Sequence, residues 1–143
     1  IVRSRRPIPR GERLFEVGSP LQSLYVARDG AFKTSTLGED GGKLFLRPKT
    51  DSVAAGTVTF AVSNTGAMPH EFVLLKTDTP AGKLPKGDGG KAKETGRIAY
   101  VPTMTPDAAT SYITMDLKPG KYVMLCNVPG HYGLGQYAAF TVT

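Results

Sequence analysis

The chain has 143 residues, enough for one domain with a real core, and its 17 glycines and 11 prolines exclude a helical bundle because both residues break helices. A formal charge of +6 favours acidic partners, but no recognition helix or aromatic RNA-binding motif accompanies it, so nucleic acid is set aside. A single cysteine excludes an internal disulfide, and no run approaches the roughly 18 apolar residues of a membrane span.

Residues 1–22 are rich in Arg, Pro and Gly and carry no steady period of 2 or 3.6; they read as a tail or linker ahead of one domain over 23–143. Arg3, Arg5, Arg6, Arg10 and Arg13 put much of the positive charge there. The chain does not begin with Met, which is compatible with a leader or a membrane tether lost from its front. Residues 23–28 and 31–36 read as two short strands paired in a hairpin across Asp29-Gly30, and 37–42 as a loop.

From Lys43 the pattern sharpens. Residues 43–47 form a strand and 48–56 a connection. Thr57 to Ser63 alternates, with Val58, Phe60 and Val62 on one face and Thr57, Thr59 and Ser63 on the other, the period of a half-buried strand. Asn64-Thr65-Gly66 turns the chain, and His70 stands at the mouth of a strand over 71–76. Residues 77–96, rich in Pro, Gly and Lys, make a long surface loop with a helical turn near Lys91 to Glu94. Strands follow at 97–101, at 110–117 with Ile113, Met115 and Leu117 on one face, and at 121–126 with Tyr122, Met124 and Cys126 on one face. A strand over 137–142 closes the sheet. The pattern is that of an all-β sandwich or barrel.

The chemistry concentrates in Cys-Asn-Val-Pro-Gly-His-Tyr-Gly-Leu-Gly-Gln, residues 126–136. A lone cysteine at a strand end is often a small core residue. Here Pro129 and Gly130 can reverse the chain and bring His131 back beside the sulfur, while Pro69 stiffens the backbone just before His70, the second of two histidines. One thiolate and two imidazoles with a weak axial donor are the donor set of a type 1 copper ion.

Gly-Thr-Val-Thr-Phe-Ala-Val-Ser-Asn-Thr-Gly followed by Pro-His-Glu-Phe, and Cys-Asn-Val-Pro-Gly-His, resemble the two ligand-bearing regions of the cupredoxins, the blue-copper fold of plastocyanin, azurin, auracyanin and the phytocyanins. The resemblance covers about residues 43–143. It implies a Greek-key β-sandwich with one copper ion at one end, held equatorially by His70, Cys126 and His131. Where many members carry an axial methionine, this chain has Gln136, as the stellacyanin-like phytocyanins do, yet it lacks their disulfide. The resemblance also implies that the Glu71 backbone N–H bonds the Cys126 sulfur; Asn64 is expected to tie the His70 loop to the ligand loop, and the Glu71 carboxylate to point to solvent. Met68 is a weaker axial candidate, and Met104, Met115 and Met124 read as core residues.

The expected function is one-electron transfer by a monomeric, non-enzymatic protein, and the resemblance implies a periplasmic or other extracytoplasmic location. Electrons would pass at the edge of His131 through a patch of Pro129, Gly130, Tyr132, Gly133 and Leu134, with lysines of residues 76–93 steering transient, acidic redox partners. The alternative is a copper carrier or store without redox cycling. Copper enzymes need histidines beyond the two present, a binuclear copper site needs a second cysteine, and a cysteine–histidine hydrolase needs an orienting acid that no spacing supplies.

Overall fold

The computed structural model describes residues 31–40, 43–106 and 108–143, and among them the architecture is nine β-strands with two short 3-10 turns. The strands are β1 (Ala31–Asp40), β2 (Lys43–Pro48), β3 (Ser52–Val53), β4 (Gly56–Asn64), β5 (His70–Lys76), β6 (Arg97–Met104), β7 (Ser111–Leu117), β8 (Gly120–Leu125) and β9 (Tyr137–Val142). They form one sheet in the order β2-β1-β4-β7 and a second in the order β3-β9-β8-β5-β6. The fold is the expected β-sandwich.

The sheets face each other through the alternating residues. Val58, Phe60 and Val62 of β4 are fully buried, as their period requires, and join Phe72 and Leu74 of β5, Tyr122 and Met124 of β8, and Phe140 of β9 in one core. Phe60 stands at its centre, with ring centroids 5.6 Å from Phe72 and 5.7 Å from Phe140. Each such ring contributes about 1.5–3 kcal/mol through its removal from water. On the outer side of β4 the hydroxyl of Thr57 donates to the Asp116 carboxylate at 2.6 Å, and the Thr59 and Thr114 hydroxyls lie 2.8 Å apart. Met104 and Met124 belong to the core and Met115 packs against it.

The inner strands of the second sheet are buried on both faces. Val73 and Leu75 of β5 and Val123 and Leu125 of β8 point away from the sandwich interior, yet they form a second apolar cluster with Leu84, Ala92 and Tyr132. The segment between β5 and β6 lies over that outer face. This explains why β5 reads as the unbroken run Phe-Val-Leu-Leu rather than as an alternation. The helical turns of this segment fall at Ala81–Lys83 and Asp88–Gly90, not at Lys91 to Glu94 as expected.

Three other expectations change. The strand expected over 31–36 continues to Asp40, so 37–40 is not loop; its hairpin partner over 23–28, like the tail over 1–22, lies outside the described residues. β1 instead runs antiparallel to β2 (Leu37 opposite Leu46) and parallel to β4 (Ser35 opposite Val62). The connection after β2 contains β3, which pairs parallel to the end of β9. β6 extends through Pro102 to Met104, and as an edge strand it tolerates a proline that lacks a ladder donor. No helix among the described residues is long and apolar enough to cross a membrane.

Candidate metal centre

The site is assembled by strand register. β5 and β8 are antiparallel neighbours with Val73 opposite Leu125, so the first residue of β5 and the residue just after β8 come to the same end of the sheet. Those residues are His70 and Cys126. The Cys126 N–H donates to the Gln136 carbonyl at 3.0 Å, closing the base of the loop that follows. Gly130 adopts φ +84°, a conformation that favours glycine, and reverses the chain after Pro129. The His131 N–H then bonds the Val128 carbonyl, and the Gln136 N–H bonds the His131 carbonyl. The loop is thus held by its own backbone.

The result is a convergence of donors. The Cys126 Sγ lies 3.4 Å from His131 Nδ1 and 3.8 Å from His70 Nδ1, and the two Nδ1 atoms are 3.2 Å apart. Gln136 Oε1 lies 3.1 Å from His131 Nδ1. All four side chains are buried, and His131 alone retains slight exposure, 8%. The structure therefore gathers His70, Cys126, His131 and Gln136, the four residues singled out from the sequence.

The spacing can be tested against a metal. An ion with bonds of about 2.0 Å to nitrogen and about 2.3 Å to sulfur keeps trigonal donors about 3.5–3.7 Å apart. The observed triangle departs from that by a few tenths of an ångström, so these residues fit an ion without rearrangement. A soft sulfur with two imidazoles suits copper, and Gln136 Oε1 is the fourth donor within reach.

Electrostatics at the sulfur are mixed. Burial pushes the Cys126 thiol up; the backbone N–H groups of Glu71 and Val128 pull it down, and the Glu71 charge pushes it up again. A metal displaces this proton, because the thiolate is the ligand. The Glu71 N–H reaches Sγ at 3.4 Å, as expected.

Around the donors three expectations are corrected. The Glu71 carboxylate does not point to solvent: the residue is 7% exposed and its Oε2 accepts the Tyr100 hydroxyl at 3.2 Å. Asn64 donates to the carbonyls of Met68 and Met104, so it ties the approach to His70 to the end of β6 and not to the ligand loop. Tyr132 is not part of a surface patch; its hydroxyl donates to the Ala81 carbonyl at 2.8 Å and accepts from the Leu84 N–H at 2.9 Å. Met68 is exposed.

Sequence reasoning missed Asn127. Its amide oxygen accepts from the Ala92 N–H at 2.8 Å, while its NH2 donates to the Ala92 carbonyl at 3.0 Å and to Glu94 Oε1 at 2.7 Å. The residue beside the sulfur is thereby fastened to the segment covering the outer face. In the sequence the only signal is an Asn directly after the cysteine.

Fold and site together define a protein built around one copper ion. A profile of copper-binding proteins, the plastocyanin/azurin family, matches residues 33–143, and the chain belongs to that family. The structure is similar to the dithionite-reduced auracyanin of the photosynthetic bacterium Roseiflexus castenholzii, with TM-score 0.58, 28% identity, and coverage of 77% of this chain and 96% of that one. It shares its fold with rusticyanin from Thiobacillus ferrooxidans, with TM-score 0.62, 17% identity, and coverage of 82% and 79%. Copper is the cofactor. A separate likeness is to bacterial regulators. The anaerobic regulatory protein of Pasteurella multocida is 44% identical over 94 residues, 60% of this chain and 34% of the regulator. The fumarate and nitrate reduction regulatory protein of Vibrio cholerae is 31% identical over 94 residues, 60% of this chain and 38% of the regulator. The chain spans little more than a third of the length of either.

Proposed function

We propose that this chain is a blue, type 1 copper protein that carries single electrons between redox partners; His70, Cys126 and His131 would hold the ion, with the Gln136 amide oxygen as a fourth donor. The observation that carries this reading is the convergence of Sγ, two Nδ1 atoms and one amide oxygen in a buried pocket closed by backbone hydrogen bonds. Bound copper supplies the Cu(II)/Cu(I) couple. The chain's part is to hold its donors in one arrangement through both states: His70 and Cys126 are fixed by β5 and β8, and His131 and Gln136 by their self-bonded loop. The Glu71 N–H draws charge off the sulfur, and burial of the donors would exclude water from a bound ion. Both histidines of this sequence are gathered at the one site, which favours transfer over catalysis at a further copper.

Electrons would cross at the slightly exposed edge of His131, flanked on its loop by the exposed Pro129, Gly133 and Leu134, the last 66% exposed. Lys83, Lys86 and Lys93 are exposed on the segment that meets the ligand loop where Gly90 lies against Gly130. They suit the steering of acidic partners in small, short-lived complexes. An extracytoplasmic site of action accords with this role. The test is to load the chain with Cu(II) and record visible and electron paramagnetic resonance spectra. An intense thiolate charge-transfer band with a narrow copper hyperfine splitting is expected; a colourless or weakly absorbing complex overturns the proposal.

A further inference from the structure

The Glu71 carboxylate has no part in ligation, yet it is one of the most enclosed acids near the site. Its backbone N–H bonds the sulfur, and alternation along β5 sends its side chain to the opposite face of the sheet from His70 and Phe72. The β5–β6 register is irregular between His70 and Phe72, where Glu71 alone faces Pro102 and Thr103 of β6, and such bulges re-aim side chains. There the residue as a whole is 7% exposed and its carboxylate accepts the Tyr100 hydroxyl. Arg97 lies over the Tyr100 ring at 5.4 Å, but its guanidinium pairs with Glu94 at 2.6 Å. Among the described residues no cation lies within ion-pair distance of Glu71. The field of the carboxylate reaches the sulfur, where it opposes thiolate formation.

We infer that Glu71 is a positioning residue of an electrostatic kind: a buried charge, held by Tyr100, that sets the reduction potential of the copper bound by His70, Cys126 and His131. The inference rests on the blue-copper reading above and deepens it. Cu(II) carries one more positive charge than Cu(I), so a fixed negative charge favours the oxidised ion and lowers the potential. Enclosure keeps mobile salt away from the charge, so the effect outlasts the screening that erases surface charges. Neutralising the carboxylate without changing its shape removes the bias.

The experiment is voltammetry of the copper-loaded full chain at low and high salt, for the wild type and for Glu71→Gln, Glu71→Asp and Asp88→Asn. At a fixed applied potential, Glu71→Gln is expected to lower the Cu(II)/Cu(I) ratio roughly tenfold, a rise of about 59 mV for one electron, at both salt concentrations. Glu71→Asp keeps the charge and is expected to stay near the wild type. Asp88→Asn, at an exposed carboxylate, is expected to show only a shift that vanishes at high salt. An unchanged potential in Glu71→Gln overturns the inference, as does an equal shift in Glu71→Asp, which would mark a role in packing alone. Visible spectra of the same samples separate the two readings: with the thiolate band intact an unchanged potential sinks only the role of Glu71, whereas a wild type without that band sinks both.

Discussion

At the scale of single residues, the centre is an unequal partnership. Cys126 is the sole sulfur donor among the gathered side chains, so Cys126→Ser is expected to abolish the charge-transfer band of the Cu(II) protein while leaving the fold, because serine is nearly isosteric. Gln136 offers an amide oxygen, a harder donor than a thioether, which favours Cu(II). Gln136→Met is therefore expected to raise the reduction potential in voltammetry; an unchanged value would show that Oε1 does not touch the ion. These residues were readable in the sequence because the chain has one cysteine and two histidines, leaving little choice of donors. Glu71 and Asn64 were misjudged for a common reason. Where a polar side chain points depends on strand register and bulges, and the irregular β5–β6 pairing beside His70 leaves no local trace.

At the scale of elements, the ligand loop is stiff because it is fastened at two points besides its own backbone. Asn127 binds both polar groups of Ala92, and the Tyr132 hydroxyl bridges Ala81 and Leu84. Asn127→Ala leaves the buried Ala92 amide without its partner and is expected to cost about 1–3 kcal/mol in urea unfolding of the apo-protein. It should also speed copper loss to a chelator, which a stopped-flow assay reads. In the core, Phe60→Ala removes the ring that touches both Phe72 and Phe140 and is expected to cost about 3–5 kcal/mol by the same unfolding measurement. The strands that alternate cleanly, β4 and β7, were legible from period alone. The cover over the outer face was not, because Leu84 and Ala92 are isolated apolar residues amid Pro, Gly and Lys, and only the long-range contact with Val73 and Leu125 gives them a role.

At the scale of the whole molecule, charge and topology matter most. If the lysines around the ligand loop guide acidic partners, reversing Lys86 and Lys93 to Glu should slow electron transfer to an acidic acceptor at low salt and make little difference at high salt, as stopped-flow rates would show. The sandwich as a class was visible in the strand and turn pattern, but its extent was not: the family likeness read from the sequence began near Lys43, whereas β1 starts at Ala31. That strand is no ornament on the rim. It lies between β2 and β4, bonded to each. Trimming the gene to start at Lys43 would unzip a sheet from within, leave β2 with no neighbour in its own layer, and bare a row of β4 amides and carbonyls to any passing strand. Such a shortened protein should be sought in the pellet after centrifugation, or as strand-exchanged dimers, and not as a smaller working carrier.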